Sequence, residues 1–323
     1  MPPTLLGCGR GSGGGEVVST DSTTRDVVST GSTRRDVVST GSTTRGGAAG
    51  HTATVTRPRT GFPYLDAGLD QPGAVLAFAH RGGAHHPEIE GLENTLVAFE
   101  HAVALGYTYL ETDVHATTDG VLLAFHDAVL DRVTSVVGTI AERASHDLAD
   151  TLIGDREPIP RLVDLLEHLP DARFNIDIKS MAAVNLLADL VNRTGCHDRV
   201  CIGSFSERRL RVFRRLVSRP MATSFGPVGV ALHRFAPQAV ARRGSPGGVA
   251  LQVPALVRQV PFVSRRFVER AHAAGYPVHV WTVDDPAMMH TLLDLGVDGL
   301  MTDRTDLLRE VLLERGQWMG AGA

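Results

Sequence analysis

Leu110-Glu111-Thr112-Asp113-Val114 places two carboxylates inside a run that otherwise has the apolar character of a buried β-strand. Two comparable runs also carry polar groups at their ends. They are Ala79-His80-Arg81-Gly82-Gly83, which precedes it, and Phe174-Asn175-Ile176-Asp177-Ile178-Lys179, which follows it. Charged groups are costly in buried strands unless they have partners. We therefore expect the ends of these strands to meet at one functional site.

From Gly73 onward, β-rich runs alternate with runs of helical period. The predicted strands are residues 74–80, 109–114, 174–179, 200–205, 221–225, 249–253, 278–283 and 299–302. The predicted helices are residues 95–105, 162–169, 182–193, 207–216, 265–274, 287–295 and 306–313. Eight such strands predict an α/β fold of the TIM (β/α)8 barrel type, which typically takes about 250 residues. A doubly wound open sheet is the alternative. In that fold, Asp113, Lys179 and Thr282 would have to meet at a different edge of the sheet.

The predicted barrel brings several polar residues to one rim, because functional groups in such barrels stand at the carboxyl ends of the strands. The groups that end predicted strands one, two, three and seven are His80, Arg81, Glu111, Asp113, Asp177, Lys179 and Trp281. A further histidine, His126, follows strand two after a turn at residues 117–120 that can fold back over the rim.

The flanking segments differ from this domain in composition. Residues 16–45 form three similar repeats of ten residues, each with one Val-Val pair. No repeat has enough apolar surface to offset the entropy of ordering it. We predict a disordered low-complexity tail at residues 1–72, a domain at 73–315 and a C-terminal tail at 316–323.

Overall composition excludes several classes of protein. The chain has 323 residues, 43% of them hydrophobic, and a net charge of −4, which suits a soluble globular protein and argues against a nucleic-acid-binding one. No apolar run approaches the roughly 20 residues of a membrane span. The N-terminus has no secretory pattern, and three unpatterned cysteines predict no disulfide framework, so we expect a cytoplasmic protein. The oligomeric state is left open.

The paired carboxylates indicate a metal site. Glu111 and Asp113 are two residues apart on a strand, so both face the same side, where like charges need a cation between them. Asp177 on the next strand can supply a third oxygen ligand. Hard oxygen ligands suit Mg²⁺ or Ca²⁺, with Mn²⁺ as a further option. The alternative is that these carboxylates pair with arginines.

The basic groups and histidines indicate chemistry on a phosphate. Arg81 can hold a phosphate oxygen. His80 and His126, on either side of one phosphorus atom, would allow one to remove a proton while the other protonates the leaving oxygen. Lys179, the only lysine among the 32 lysine and arginine residues, can counter charge developing on the phosphate. The alternative is that codon bias replaced the other lysines by arginine and that this lysine remains by chance.

Two further residues are candidates at the rim. Trp281 either forms an apolar wall for a small carbon group of the substrate or belongs to the barrel core. Gln252, near the end of the sixth predicted strand, is placed to orient substrate.

The ordered motifs of the domain resemble those of the glycerophosphodiester phosphodiesterase family. The matching stretches are His80-Arg81-Gly82, Glu93-Asn94-Thr95, Glu111-Thr112-Asp113, Thr118-Asp119-Gly120, His126-Asp127, Leu130-Asp131-Arg132, Pro158-Ile159-Pro160, Asn175 to Lys179, Val280-Trp281-Thr282-Val283, Asp298-Gly299 and Thr302-Asp303. They span residues 74–313, which is nearly the whole predicted domain.

The resemblance implies a TIM barrel that uses a divalent cation to hydrolyse glycerophosphodiesters to sn-glycerol 3-phosphate and an alcohol. It implies that His80 and His126 are the acid–base pair and that Arg81 binds phosphate. It also implies that Glu111, Asp113 and Asp177 bind the metal beside Lys179, with Glu93 near the site. Attack by the substrate's own glycerol hydroxyl, through a cyclic phosphate, is implied as well.

The chain departs from the family pattern at one ligand. The third carboxylate is often Glu, and Asp177 is one methylene shorter, so the metal must lie nearer that strand or a water must bridge. The segment between His126 and Asp177 is short, so we expect an open site without a large capping domain. Two other functions remain: a lysophospholipase D-type activity, for which residues 225–235 and 260–262 offer apolar surface, and a non-catalytic phosphate-binding barrel.

Overall fold

The computed structural model describes residues 57–244 and 247–320. Its strands are β1 (Leu76–His80), β2 (Tyr109–Ala116), β3 (Leu122–Ala124), β4 (Leu152–Ile153), β5 (Glu157–Pro158), β6 (Arg173–Ile178), β7 (Val200–Gly203), β8 (Leu251–Pro254), β9 (Leu256–Val257), β10 (Val260–Pro261), β11 (Val278–Trp281) and β12 (Gly299–Thr302). Its helices are α1 (Pro63–Asp66), α2 (Leu96–Ala104), α3 (Leu162–His168), α4 (Ala182–Thr194), α5 (Glu207–Leu216), α6 (Pro227–Phe235), α7 (Gln238–Gly244), α8 (Arg265–Ala273), α9 (Pro286–Leu295) and α10 (Thr305–Glu314).

The central sheet is parallel and curls into a barrel. Seven strands pair in the order β7, β6, β2, β1, β12, β11 and β8. The gap between β7 and β8 is closed by the backbone of Thr223 and Ser224, which bridges in parallel to Ile202 on one side and to Ala250 on the other. Ser224 N donates to Ile202 O at 2.9 Å, and Phe225 N donates to Ala250 O at 2.9 Å. The predicted TIM barrel is confirmed, and the open sheet is excluded.

Seven of the eight predicted strands and all seven predicted helices lie close to their predicted positions, whereas the predicted strand 221–225 forms only isolated bridges at Thr223 and Ser224. The predicted connection between the fifth and sixth strands contained no helix, but the structure has both α6 and α7 there. Pro227, Gly229 and Pro237 obscure the helical pattern in the sequence, because proline and glycine usually mark turns. In the structure Pro227 occupies the first turn of α6, where a missing N–H costs nothing.

The barrel interior has a core of its own. Its buried members include Leu76, Phe78, Tyr109, Cys201, Ala222, Ala250 and Met301. A larger apolar layer lies between the strands and the surrounding helices. Strands buried on both faces explain the nearly continuous apolar runs in the sequence.

Both predicted domain boundaries need correction. Tyr64 in α1 is fully buried, and its carbonyl accepts a hydrogen bond from Tyr109 Oη at 2.6 Å, so ordered packing begins before residue 72. Trp318 is also buried and lies edge-on to Tyr107, so the predicted C-terminal tail is partly packed. These packing contacts join residues far apart in the sequence, so the sequence pattern did not predict them. The predicted disorder of residues 1–56, including the repeats at 16–45, falls outside the described residues.

A small lobe follows β2 and carries His126. β3 pairs antiparallel with the end of β2, and β4 pairs antiparallel with β5. The lobe has its own apolar cluster, which includes Leu123, Phe125, Leu130, Ile140 and Ile153. This packing fixes the segment that returns His126 to the rim. Within the described residues, no helix combines the length and apolarity needed to cross a bilayer.

Candidate active site

One cavity of about 400 Å³ opens at the carboxyl ends of the strands. It is lined by all of the site residues predicted from the sequence: His80, Arg81, Glu111, Asp113, His126, Asp177, Lys179 and Trp281. Gln252 lines it too, and its Nε2 donates to Asn175 Oδ1 at 2.7 Å. Residues separated by up to 201 positions of sequence, from His80 to Trp281, therefore share one space, as the strand-end argument predicts.

The three predicted ligand carboxylates lie on adjacent strands and are buried. Asp113 of β2 is in register with Asp177 of β6, and Glu111 is in register with His80 of β1. Burial raises the pKa of Glu111 to about 7, with a further rise from the neighbouring Asp113. Burial also raises the pKa of Asp177, whose Oδ1 has no hydrogen-bond partner among the described residues. A buried carboxylate with a raised pKa and a buried oxygen without a hydrogen-bond partner are features that a hard cation would satisfy.

Lys179 stands between two of these carboxylates. Its Nζ lies 2.7 Å from Asp113 Oδ1 and 2.7 Å from Asp177 Oδ2. Burial opposes the charged form of Lys179, but the two carboxylates outweigh burial and raise its pKa. Burial likewise acts to raise the pKa of Asp113, and Lys179 and Arg81 reverse the effect, so that this pKa is lowered. The site therefore already holds two cations beside three acids.

The predicted ligand oxygens are not the most tightly gathered in the molecule. Within residues 57–244 and 247–320, groups of three donor atoms all within 4.8 Å of one another are formed by His86, Glu88 and His101, and by His85, Asp284 and Asp303. Glu111, Asp113 and Asp177 are spread more widely than this. The residues fit a cation in charge and chemistry, and the shorter Asp177 side chain is consistent with a water completing the shell.

His80 is held by a carboxylate that the sequence reasoning gave no role. Its Nδ1 lies 2.8 Å from Asp303 Oδ1, and its Nε2 lies 3.7 Å from Glu111 Oε2. Burial lowers the pKa of His80, but Glu111 and Asp303 outweigh it and raise the value to about 8. The sequence showed Asp303 only as part of a motif after the last strand. Its partner, His80, lies 223 residues earlier in the chain.

His126 is held in the same way by its neighbour in sequence. Its Nδ1 lies 2.6 Å from Asp127 Oδ1, and its backbone carbonyl is 3.1 Å from His115 Nε2. Arg132 then joins Asp127 to Glu93, which it contacts through both terminal nitrogens. Each cavity histidine thus has a carboxylate at Nδ1.

Arg81 occupies a strained turn directly after β1. Its φ is +50°, in the left-handed region that non-glycine residues rarely adopt. The turn lets Arg81 N donate to Glu111 Oε2 at 3.2 Å, while the side chain pairs with Asp113 and with Glu93, each at 3.3 Å. Glu93 therefore lies just behind the cavity, as the family resemblance implied. Strain of this kind is typical of functional sites.

The wall opposite the charged residues is apolar. It is formed by Phe205, Phe225, Pro227, Val230, Ala231, Phe235, Pro254, Phe262 and Trp281. Trp281 lies edge-on to Phe205, with 5.6 Å between ring centroids. Trp281 is partly exposed in the cavity lining, and it also packs against the apolar cluster inside the barrel. Sequence reasoning had not included Phe205, because a single phenylalanine after a strand carries no distinguishing signal.

The model of the glycerophosphoryl diester phosphodiesterase family matches residues 80–307. The chain belongs to this family. The match spans the barrel from the cavity histidine of β1 to the start of α10. The hydrolysis of glycerophosphodiesters, inferred first from the motifs, is therefore its activity, and a non-catalytic barrel is set aside.

Individual relatives agree with the family. This phosphodiesterase is 41% identical over 253 residues to a Mycobacterium tuberculosis protein named "Probable glycerophosphodiester phosphodiesterase 2", covering 77% of this chain and 95% of that one. It is 25% identical over 270 residues to "Lysophospholipase D GDPD1" of Homo sapiens, covering 72% and 85%. The crystal structure of a Silicibacter pomeroyi protein named "Putative glycerophosphoryl diester phosphodiesterase" is similar, with a TM-score of 0.66 and 25% identity, covering 79% of this chain and 98% of that one.

Proposed function

We propose that this phosphodiesterase acts through His80 and His126 as an acid–base pair, with one divalent cation held by Glu111, Asp113 and Asp177. The observation that carries the proposal is the matched support of the two histidines. Each lines the cavity, and each is held through Nδ1 by its own carboxylate, Asp303 or Asp127.

The roles follow from position and charge. Arg81 and Lys179 bind the phosphate and balance charge that builds up on its oxygens. One histidine takes the proton of the attacking glycerol hydroxyl as the new P–O bond forms. The other gives a proton to the alcohol oxygen as the old P–O bond breaks. Water then opens the cyclic phosphate with the two roles exchanged, which yields glycerol 3-phosphate.

The proposed ligands fit Mg²⁺ or Ca²⁺, with Mn²⁺ also acceptable, because all three supply carboxylate oxygens. When bound, the ion would neutralise phosphate charge and polarise its oxygens. The unpartnered Oδ1 of Asp177 and the raised pKa of Glu111 support a cation at this place.

Release of glycerol 3-phosphate from glycerophosphocholine tests these assignments. We expect EDTA to abolish release and one of the three metals to restore it. Glu111→Gln should lower metal affinity, measured by calorimetry on the folded protein, and His126→Gln should lower kcat while leaving metal binding intact. Undiminished turnover in EDTA-treated protein would remove the metal from the proposal, and full activity of His126→Gln would remove the histidine.

A second substrate class is favoured by the apolar wall. The cavity places Phe225, Val230, Phe235 and Phe262 opposite the charged residues, where a hydrocarbon chain could lie. The resemblance to a human protein named as a lysophospholipase D points the same way. Turnover of lysophosphatidylcholine against glycerophosphocholine separates the two classes. A higher kcat/KM for the lysolipid would make it the preferred substrate.

We also propose that the protein works in the cytoplasm and that its substrates are small molecules rather than nucleic acids. Cys196 and Cys201 are buried free thiols, which suits a reducing compartment. Fractionation of the source cells would test the location, since recovery outside the cytoplasm contradicts it.

A further inference from the structure

Exposed hydrophobic side chains gather around the mouth of the cavity. We name this surface the apolar apron; its residues are Phe205, Val228, Phe235, Leu256, Val257 and Val260. Phe235 is 73% exposed, Phe205 is 65% exposed and Val260 is 64% exposed. Such large apolar groups rarely cluster in water without a partner. Phe205 and Phe235 also line the cavity, so the apron continues the apolar wall outward.

One side of the apron is a stripe on α6. Val228, Ala231 and Phe235 are all exposed, and their spacing of three and four residues puts them on one face of the helix. The buried His233 packs against the rings of Phe225 and Tyr276. The helix is therefore anchored by one face, and it presents a second apolar face that no described residue covers.

The other side is the hairpin β9–β10. Val257 pairs with Val260, and Leu256 pairs with Pro261, in an antiparallel ladder whose four residues are all exposed. Arg258 and Gln259 form its turn, with φ of +49° and +67°. A two-residue turn of this hand projects a rigid tip, but it is strained for residues other than Gly or Asn. The hairpin thus holds apolar side chains and one arginine out from the body.

Two arginines, Arg234 and Arg258, stand at the apron, and the segment from Phe205 to Val283 that contains it has two acidic residues, Glu207 and Glu269. Arg258 is exposed at the tip of the hairpin β9–β10. Arg234 bridges the two sides, with its guanidinium 5.2 Å from the Phe235 ring and 5.8 Å from the Phe262 ring. Glu207, one of the two acids, is turned inward, where Oε1 accepts from Gly229 N. Acidic groups resume at Asp284 and Asp285, beyond the hairpin.

We propose that the apolar apron docks onto an anionic phospholipid bilayer. The aromatic and aliphatic groups would enter the interface between head groups and chains, while Arg234 and Arg258 would meet lipid phosphates. Arginines beside exposed apolar groups, with few acidic residues nearby, complement the phosphates of an anionic leaflet. Docking in this orientation brings the cavity mouth to the membrane. It does not depend on hydrolysis, so it stands or fails apart from the proposed function.

Vesicle co-sedimentation of the purified full chain tests the proposal. We expect binding to vesicles of equimolar phosphatidylcholine and phosphatidylglycerol and little binding to phosphatidylcholine alone. Raising salt to about 1 M, where the screening length falls to about 3 Å, should release most of the protein. Phe235→Asp should weaken binding at least about tenfold, because a ring that would enter the bilayer is replaced by a charge. Arg258→Gln should weaken it about fivefold.

Matched controls keep the test specific. Val137→Asp alters a valine that is 72% exposed outside the apron, and Arg219→Gln removes a charge that pairs with Asp198 beyond the end of α5. Both should bind vesicles like the parent, as should His126→Gln. Equal sedimentation of Phe235→Asp and Val137→Asp would overturn the proposal. A stable dimer that Phe235→Asp converts to monomer, with no vesicle binding by the parent, would instead assign the apron to a second copy.

Discussion

Individual carboxylates set the chemistry of this site by holding other side chains. Asp303 contacts His80 and Asp127 contacts His126, and both contacts are made at Nδ1. A carboxylate at that nitrogen fixes the tautomer and the direction of the ring. The importance of Asp127 is suggested by its place beside His126, whereas Asp303 is 223 residues away from His80.

Asp303→Asn tests this support. The amide keeps the size of the side chain but loses the charge that holds His80, so we expect kcat to fall on the order of 100-fold with little change in KM. Steady-state kinetics with glycerophosphocholine provide the measurement. Thermal unfolding should show a folded variant, and Asp306→Asn, next to the same motif, serves as the control. A kcat within threefold of the parent would deny Asp303 its positioning role.

Lys179→Arg tests the use of the only lysine in the chain. The ammonium of Lys179 contacts Asp113 and Asp177 at 2.7 Å each, and a planar guanidinium cannot occupy the same small space. Although charge is conserved, we expect activity to fall on the order of 100-fold. Kinetic assay of the folded variant is the measurement, and near-parental activity would mean that charge alone matters there.

At the scale of elements, the loop from β1 to α2 positions Arg81. Gly82 and Gly83 both have φ near +90°, which glycine adopts freely. Asn94, also left-handed, donates from Nδ2 to Asp113 Oδ2 at 3.3 Å and accepts from Thr112 Oγ1 at 2.7 Å. The loop therefore joins the start of α2 to the carboxylates of β2.

Gly83→Ala should destabilise this loop in two ways. A Cβ at Gly83 would lie 2.6 Å from Thr305 Cγ2, and its φ of +91° is unfavourable for alanine. We expect the free energy of unfolding to fall by about 3 kcal/mol, measured by urea denaturation. Gly275→Ala is the matched control, because its φ is +86° but no atom lies within 4 Å of the new Cβ. It should cost only about 1 kcal/mol. Equal losses in both variants would show that the contact with Thr305 contributes nothing.

At the scale of the whole molecule, the barrel interior encloses a histidine that the site does not use. His279 of β11 is fully buried near Phe78, with 5.1 Å between ring centroids. Neither ring nitrogen has a hydrogen-bond partner within the described part of the chain. Burial, with a smaller contribution from Arg57, lowers the pKa of His279 to about 3. The folded protein therefore excludes a proton that the unfolded chain binds below pH 6.5.

This difference predicts how stability depends on pH. The contribution of neutral His279 is fully present above pH 6.5 and is lost progressively as pH falls from 6.5 toward the folded pKa of about 3. At pH 5 the loss should be about 2 kcal/mol relative to pH 7. His279→Leu removes this proton linkage. Denaturant unfolding at both pH values should show the parent losing about 2 kcal/mol more than the variant, and parallel losses would contradict the assignment.

The sequence predicted most of the barrel, because strands buried on both faces leave long apolar runs and glycines mark helix ends. The eight site residues that it predicted all line the cavity, seven from the ends of strands and His126 from the segment that returns to the rim after β2. It did not predict α6 and α7, since Pro227 and Pro237 hide their period. The predicted start of the domain at residue 73 also lies too far along the chain. Tyr64 is part of the core because it packs against Tyr109, and the sequence does not show that contact.

By itself, the sequence determined the family, the reaction class and the charged half of the site, since those depend on residue type and on order along strands. The tertiary structure alone decided which groups act on each other across long separations. Asp303 contacts His80, Lys179 stands between two carboxylates, and the apolar apron forms from Phe205, one face of α6 and the hairpin β9–β10. Such contacts depend on distances across the closed barrel, and no local pattern in the chain encodes them.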